Sequence, residues 1–195
     1  MLITFIKMKK IRFTLVGDRC GKTSLVQRWC KPLEPINPSK TIAIDMRSMV
    51  FNIENHTVCV QYWDCSGEMS FQKLLLPYLK NAELIVVCFD LTEAKSWLTA
   101  QYWTDTALEN TEDTPICFIG TKLDKESKRI IKKLTVQRYI RSINTRNTFY
   151  CETSAYTGEN CKDTLSMCIF ESLRTSIKYT SLKFDSEKEK SCILM

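Results

Sequence analysis

Seven consecutive residues, Gly17-Asp18-Arg19-Cys20-Gly21-Lys22-Thr23, combine glycines, a lysine and a hydroxyl in an order suited to phosphate chemistry. Glycines let neighbouring backbone N–H groups turn toward one anion, and a helix opening at this point adds its positive end. In such a loop Lys22 reaches the outer phosphates of a nucleoside triphosphate, while the Thr23 hydroxyl, followed by Ser24, binds Mg²⁺. The pattern asks for four residues between its two glycines, whereas three separate Gly17 from Gly21. Either the loop is one residue short or Val16 stands where the first glycine belongs. Arg19 and Cys20 are bulky where small residues usually let the backbone approach phosphate. Arg19 brings positive charge to the loop, as an arginine finger in cis would, or is a solvated loop residue. Cys20, beside a helix N-terminus and Lys22, is either a thiol of lowered pKa or a gap filler.

Two further groups complete a nucleotide site. Asp64 ends an apolar run and suits a carboxylate that holds Mg²⁺ through water; Gly67 offers a backbone N–H to a terminal phosphate, so loss of that phosphate would release the segment behind it. Glu68 stands where a residue orients the attacking water. Its carboxylate either takes a proton from that water or repels the phosphate. Thr121-Lys122-Leu123-Asp124 supplies a carboxylate that can accept from the N1–H and exocyclic amine of guanine, groups that adenine does not present, with the Lys122 stem over the ring. Ser154-Ala155 adds a backbone donor for the guanine carbonyl.

These groups need a scaffold that brings them to one rim. Apolar runs of strand length fall at 11–16, 43–53, 58–63, 84–89, 116–119 and 148–151. Segments of helical period fall at 23–30, 71–79, 94–108, 136–143 and 161–177. This alternation predicts a doubly wound α/β fold of the P-loop NTPase kind: a six-stranded, mostly parallel sheet with one antiparallel edge strand and helices on both faces. The antiparallel pair is a hairpin turning near 52–57. Each motif follows a strand directly, so all should meet at the carboxyl edge of the sheet.

Composition narrows the field without naming an activity. The 195 residues suit one domain with a substantial core, residues 1–177, followed by a polar, flexible tail, 178–195. The net charge of +6 is spread along the chain, which gives no support for nucleic-acid binding. Ten cysteines include no Cys-x-x-Cys pair, and His56 is the single histidine, which excludes a zinc site of that pattern and any histidine triad. The short apolar start, with lysines after it, does not fit a signal peptide; a reducing cytosol is expected, with the cysteines as free thiols.

The ordered set resembles the Ras superfamily of small GTPases, from Lys10 to the C-terminus, and within it the Rab branch. Thr41-Ile42-Ala43-Ile44-Asp45-Met46 resembles T-I-G-V-D-F, Trp63-Asp64-Cys65-Ser66-Gly67-Glu68 resembles W-D-T-A-G-Q, and Tyr78-Leu79-Lys80-Asn81-Ala82 resembles Y-Y-R-G-A. The resemblance implies that Thr41 binds Mg²⁺ through its hydroxyl and meets the γ-phosphate with its N–H. It also implies that Tyr156, in the place of a usual lysine, borders the base pocket. The catalytic candidates are then Glu68, Lys22 and Thr41; the metal candidates are Thr23, Thr41 and Asp64. Thr121 in place of the Rab asparagine resembles the Rho pattern, but 124–154 is too short for a Rho insert helix. The segment 31–38 has three prolines and no aromatic for the guanine.

Cys192-Ile193-Leu194-Met195 fits a prenylation box in which terminal Met favours farnesyl on Cys192. The expectation is a monomeric GTP/GDP switch on the cytosolic face of an intracellular or plasma membrane. The switch segments 36–46 and 65–78 would meet effectors, an exchange factor and a GTPase-activating protein, and a prenyl-binding carrier would hide the lipid. Vesicle traffic follows from the Rab likeness. The rivals are a pseudo-GTPase that binds or hydrolyses nucleotide poorly, and a Rho-like cytoskeletal regulator.

Overall fold

The computed structural model describes residues 8–53, 56–143, 145, 147–176 and 193–194. One sheet runs in the order β2-β3-β1-β4-β5-β6-β7. Its strands are β1 (Lys9–Val16), β2 (Ile44–Ile53), β3 (His56–Cys65), β4 (Leu84–Asp90), β5 (Ile116–Thr121), β6 (Thr148–Glu152) and the two-residue β7 (Ile193–Leu194). Strands β3, β1, β4, β5 and β6 are parallel, and β2 lies antiparallel to β3 with Ile44 opposite Cys65 and Ile53 opposite His56. The six expected strands are all present. The short β7 adds to β6 in antiparallel sense, a pairing that period and composition do not announce. His56, expected in the hairpin turn, opens β3, and residues 54–55 lie outside the described residues.

Every residue of β4 is buried, as a strand covered on both faces requires. Its side chains divide by the two-residue period. Leu84, Val86 and Cys88 join Ile11, Phe13 and Leu15 in a core under helices α1 (Lys22–Cys30) and α5 (Cys161–Ser176), whose Leu25, Trp29, Cys168 and Ile169 fill it. Ile85, Val87 and Phe89 face the second core. There they meet Leu75 and Leu79 of α2 (Gln72–Lys80), Trp97 and Trp103 of α3 (Ala94–Asn110), and Val136 and Ile140 of α4 (Lys133–Ser142). Helix α3 starts on Glu93, whose side chain accepts from the Lys95 N–H.

Strand β1 lies between β3 and β4, so the chain leaves it at the point where the strand order reverses, the place where open α/β sheets hold ligands. The loops after β1, β3, β4, β5 and β6 therefore share one rim. Cys192 and most of the tail expected to be flexible lie outside the described residues.

Candidate functional site

The loop after β1 settles the spacing question raised by its missing residue. Val16 is a fully buried strand residue paired with Val87, so it cannot serve as a loop glycine. Gly17 takes that role. Its φ of 129° lies where only glycine is at ease, and a Cβ would stand 2.2 Å from the Cys88 carbonyl oxygen. Lys22, almost wholly buried, donates its ammonium to the Gly17 carbonyl at 2.5 Å, closing the shortened loop. Arg19 reaches the left-handed region at φ 47° and stays exposed, and Gly21 at φ 86° opens α1.

Cys20 is fully buried and fills the space under Gly17. Burial alone would raise its thiol, but the Cys88 thiol beside it and the Lys22 charge outweigh burial and hold it below the ordinary cysteine value, with Cys88 raised in turn. A thiol so enclosed is a packing group, since reactivity requires access as well as a low pKa.

Thr23, Thr41 and Asp64 meet at one corner although they come from α1, the α1–β2 connection and β3. The Thr23 hydroxyl donates to Asp64 Oδ2 at 2.5 Å and lies 2.9 Å from the Thr41 hydroxyl, which is itself 3.1 Å from the same carboxylate oxygen. The other oxygen, Asp64 Oδ1, is buried and has no protein donor among the described residues. Burial pushes the Asp64 carboxyl above the usual range, against the pull of Thr23, Lys22 and Thr41. An all-oxygen corner with an unpartnered carboxylate atom fits a small hard cation such as Mg²⁺, which takes few protein ligands and completes its shell with water and phosphate. Among the described residues no group of three His, Cys, Asp or Glu side chains stands ready to hold a metal by itself.

Gly67 packs directly on the phosphate loop. A Cβ there would lie 2.6 Å from both the Asp18 Cα and the Gly17 carbonyl oxygen, so no side chain fits. Its neighbour Glu68 points to Lys40, with Oε1 2.5 Å from the ammonium.

At the base end, Asp124 Oδ1 accepts from the Ser154 hydroxyl at 2.6 Å, which orients the carboxylate proposed to read guanine. The Ser154 N–H is taken by the Glu159 carbonyl, so the backbone donor expected from Ser154-Ala155 falls to Ala155. Lys122, in the left-handed conformation, pairs its ammonium with Asp90 at the end of β4. Thr121 is buried, and its hydroxyl contacts the Cys20 carbonyl at 2.5 Å and the Phe89 carbonyl at 3.0 Å. The threonine that departs from the Rab pattern thus ties the base motif to the phosphate loop.

Residues 12–174 match the Ras family. The chain belongs to the Ras family. The human EF-hand calcium-binding domain-containing protein 4B is 30% identical over 156 residues, which is 79% of this chain and 21% of that protein. The chain thus spans about a fifth of the length of that relative. Ras-family domains are small GTPases, which bind guanine nucleotides.

Within this Ras-family domain two groups escape the motifs. Asp90 holds Lys122, as described. Arg28 of α1 donates Nε to the Ala155 carbonyl at 2.7 Å and Nη2 to the Tyr156 carbonyl at 3.1 Å, while Nη1 reaches the Pro32 and Glu34 carbonyls. It joins the base loop to the segment that has no guanine-facing aromatic. Tyr156 itself is 79% exposed and takes part through its backbone. An arginine in a helix of ordinary period gives no sequence signal for this role.

Proposed function

We propose that the chain is a Rab-like molecular switch that binds GTP and GDP with Mg²⁺, hydrolyses GTP slowly and acts in membrane or vesicle traffic. The observation that carries the nucleotide part is the convergence of Thr23, Thr41 and Asp64 beside a closed phosphate loop, with a buried carboxylate oxygen that has no protein donor among the described residues. Backbone N–H groups from Gly17 to Ser24 and the Lys22 ammonium would hold the phosphates. Thr23 and Thr41 would hold the metal directly, and Asp64 through water. When bound, Mg²⁺ would supply positive charge that offsets the negative charge of the phosphates.

The switch follows from where Thr41 sits. It reaches this corner from a long connection with little regular structure, so its position depends on the contacts made there. A terminal phosphate would add a contact at this corner, and its removal would let the segments 36–46 and 65–78 present a different surface to effectors, exchange factor and GTPase-activating protein. Ile42 at 81% exposure, together with Met46 and Leu74, provides apolar area for such partners.

Fluorescent GDP titrated against competing GTP, GDP and ATP tests the reading. Guanine nucleotides should compete and ATP should not; Asp124→Asn should shift preference toward xanthine nucleotides while the fold survives. Competition by ATP equal to that of GTP would refute guanine recognition. Farnesylation of Cys192 would place the chain on the cytosolic face of a membrane, weakly, since one lipid anchors only marginally. Cys192→Ser should leave the protein wholly cytosolic on fractionation; retention on membranes would refute the lipid tether.

A pseudo-GTPase with impaired turnover is the second reading. It is favoured by Glu68, which stands where a residue orients the attacking water and has one carboxylate oxygen held by Lys40.

A further inference from the structure

Glu68 places a carboxylate directly after Gly67, beside the position proposed for the terminal phosphate. Alone, that charge would repel a triphosphate more than a diphosphate. It is not alone. Lys40, which immediately precedes Thr41, brings its ammonium to 2.5 Å from Glu68 Oε1. The exposed Arg19, at the tip of the phosphate loop, adds a second positive charge that acts on the same carboxylate. The Lys40 hydrogen bond, then the Lys40 and Arg19 charges, hold the Glu68 carboxyl below its ordinary range. Such a group is ionised and a poor proton acceptor.

The pair also bridges two separate segments. Lys40 is one residue from the Thr41 hydroxyl at the cation corner, and Glu68 is one residue from Gly67, which packs on Asp18. Each partner is thus fixed by a neighbour that belongs to the nucleotide site. The side chains remain 74% and 40% exposed, so the pair contributes little to the fold itself. Its removal matters where an uncompensated charge meets phosphate.

We propose that Lys40 and Glu68 form a compensating latch between the two switch segments, in which Lys40 neutralises Glu68 beside the terminal phosphate and so allows GTP to bind. The latch rests on the guanine-nucleotide reading above. Lys40 is a positioning residue whose effect is specific to the triphosphate, and Glu68 is its anchor instead of the base that activates water. The two roles considered for Glu68 from sequence, proton acceptor and repulsive charge, are both silenced by one lysine.

The consequence is an asymmetry between the two partners. Loss of Lys40 leaves the carboxylate with only the weaker influence of Arg19, whereas loss of the Glu68 charge leaves a lysine that is still favourable to phosphate. The test measures affinities of fluorescent GDP and of a fluorescent non-hydrolysable GTP analogue with Mg²⁺ for the parent, Lys40→Ala, Glu68→Gln and the double variant. Lys40→Ala should lower the ratio of analogue affinity to GDP affinity by about three- to tenfold at low salt. The double variant should return to the ratio of Glu68→Gln, and high salt should shrink the defect. A merely structural role would weaken both nucleotides alike. An unchanged ratio in Lys40→Ala, or a double variant as defective as Lys40→Ala, overturns the latch while leaving guanine binding intact. A parent that binds neither nucleotide overturns the guanine reading and the latch with it.

Discussion

Thr121→Val removes one hydroxyl from a buried position and preserves the side-chain shape. The hydroxyl contacts two carbonyls, those of Cys20 and Phe89, at 2.5 and 3.0 Å. A hydroxyl carries a single hydrogen, so the two contacts share one donor and count as one strong bond, not two. Leaving buried acceptors without that donor costs about 1–3 kcal/mol. In a domain of this size each kcal/mol lowers the melting temperature by about 2–4 °C, so a mid-range loss of about 2 kcal/mol corresponds to about 4–8 °C. The same loss frees the Cys20 carbonyl from the base motif, and GDP should dissociate faster, up to about tenfold for every 1.4 kcal/mol transmitted to the bound state. Urea unfolding followed by tryptophan fluorescence gives the stability, and displacement of fluorescent GDP gives the rate. Thr121→Ser keeps the hydroxyl and serves as the control. The reasoning is refuted if Thr121→Val stays within about 0.5 kcal/mol of the parent, or if the serine variant loses as much as the valine.

Thr23→Asn should weaken GTP more than GDP, because the lost hydroxyl would help hold a cation whose charge offsets that of the phosphates; equal losses in a Mg²⁺-dependent titration would remove Thr23 from the cation corner. Arg129→Met should destabilise the fold by about 2–3 kcal/mol in urea unfolding, reduced from the roughly 3–5 kcal/mol of a fully buried pair because the guanidinium is partly exposed. Arg129 holds Glu152 through two bonds of 2.8 and 3.0 Å and also binds Glu126. Burial pushes the Glu152 carboxyl up, but Arg129 and Tyr150 outweigh it and set it below the usual range. The stability tied to Glu152 is therefore present above its unfolded pKa of about 4.3 and fades as pH falls through the lower folded value. The gap between Arg129→Met and parent should accordingly be wide at about pH 7 and narrow at about pH 3; a gap independent of pH would show that packing, not charge, carries the effect.

The six main strands could be read from the chain because each is a short apolar run closed by a polar or glycine-containing turn, and β4 is buried from end to end. The placement of the candidate loops is legible for the same reason: Gly17, Gly67 and Asp124 each follow the carboxyl end of a strand. What stayed hidden depends on contacts between distant segments. Thr121 meets Cys20 across 101 residues, and Arg28 meets Ala155 across 127, so no local pattern announces either. The Lys40–Glu68 pair is likewise invisible, since Glu68 alone reads as a group acting on water or phosphate and no local pattern joins it to Lys40. Cys20 shows the converse. Its neighbours in sequence suggest reactivity, whereas the packing under Gly17 removes the access that reactivity needs. The 3-10 helix at Leu123–Lys128 also went unread, because its hydrophilic sequence has no apolar period.

The most direct measurement is the identity of the nucleotide carried by the 195-residue chain. The protein is purified in Mg²⁺, denatured, and the released nucleotide separated by anion-exchange chromatography and quantified against protein. A guanine nucleotide in near one-to-one ratio is the expected result: GDP if the site turns over, GTP if the Lys40-bound Glu68 leaves hydrolysis impaired. An adenine nucleotide, or an empty protein that also fails to take up added GDP with Mg²⁺, would contradict the assignment of this rim as a guanine-nucleotide site.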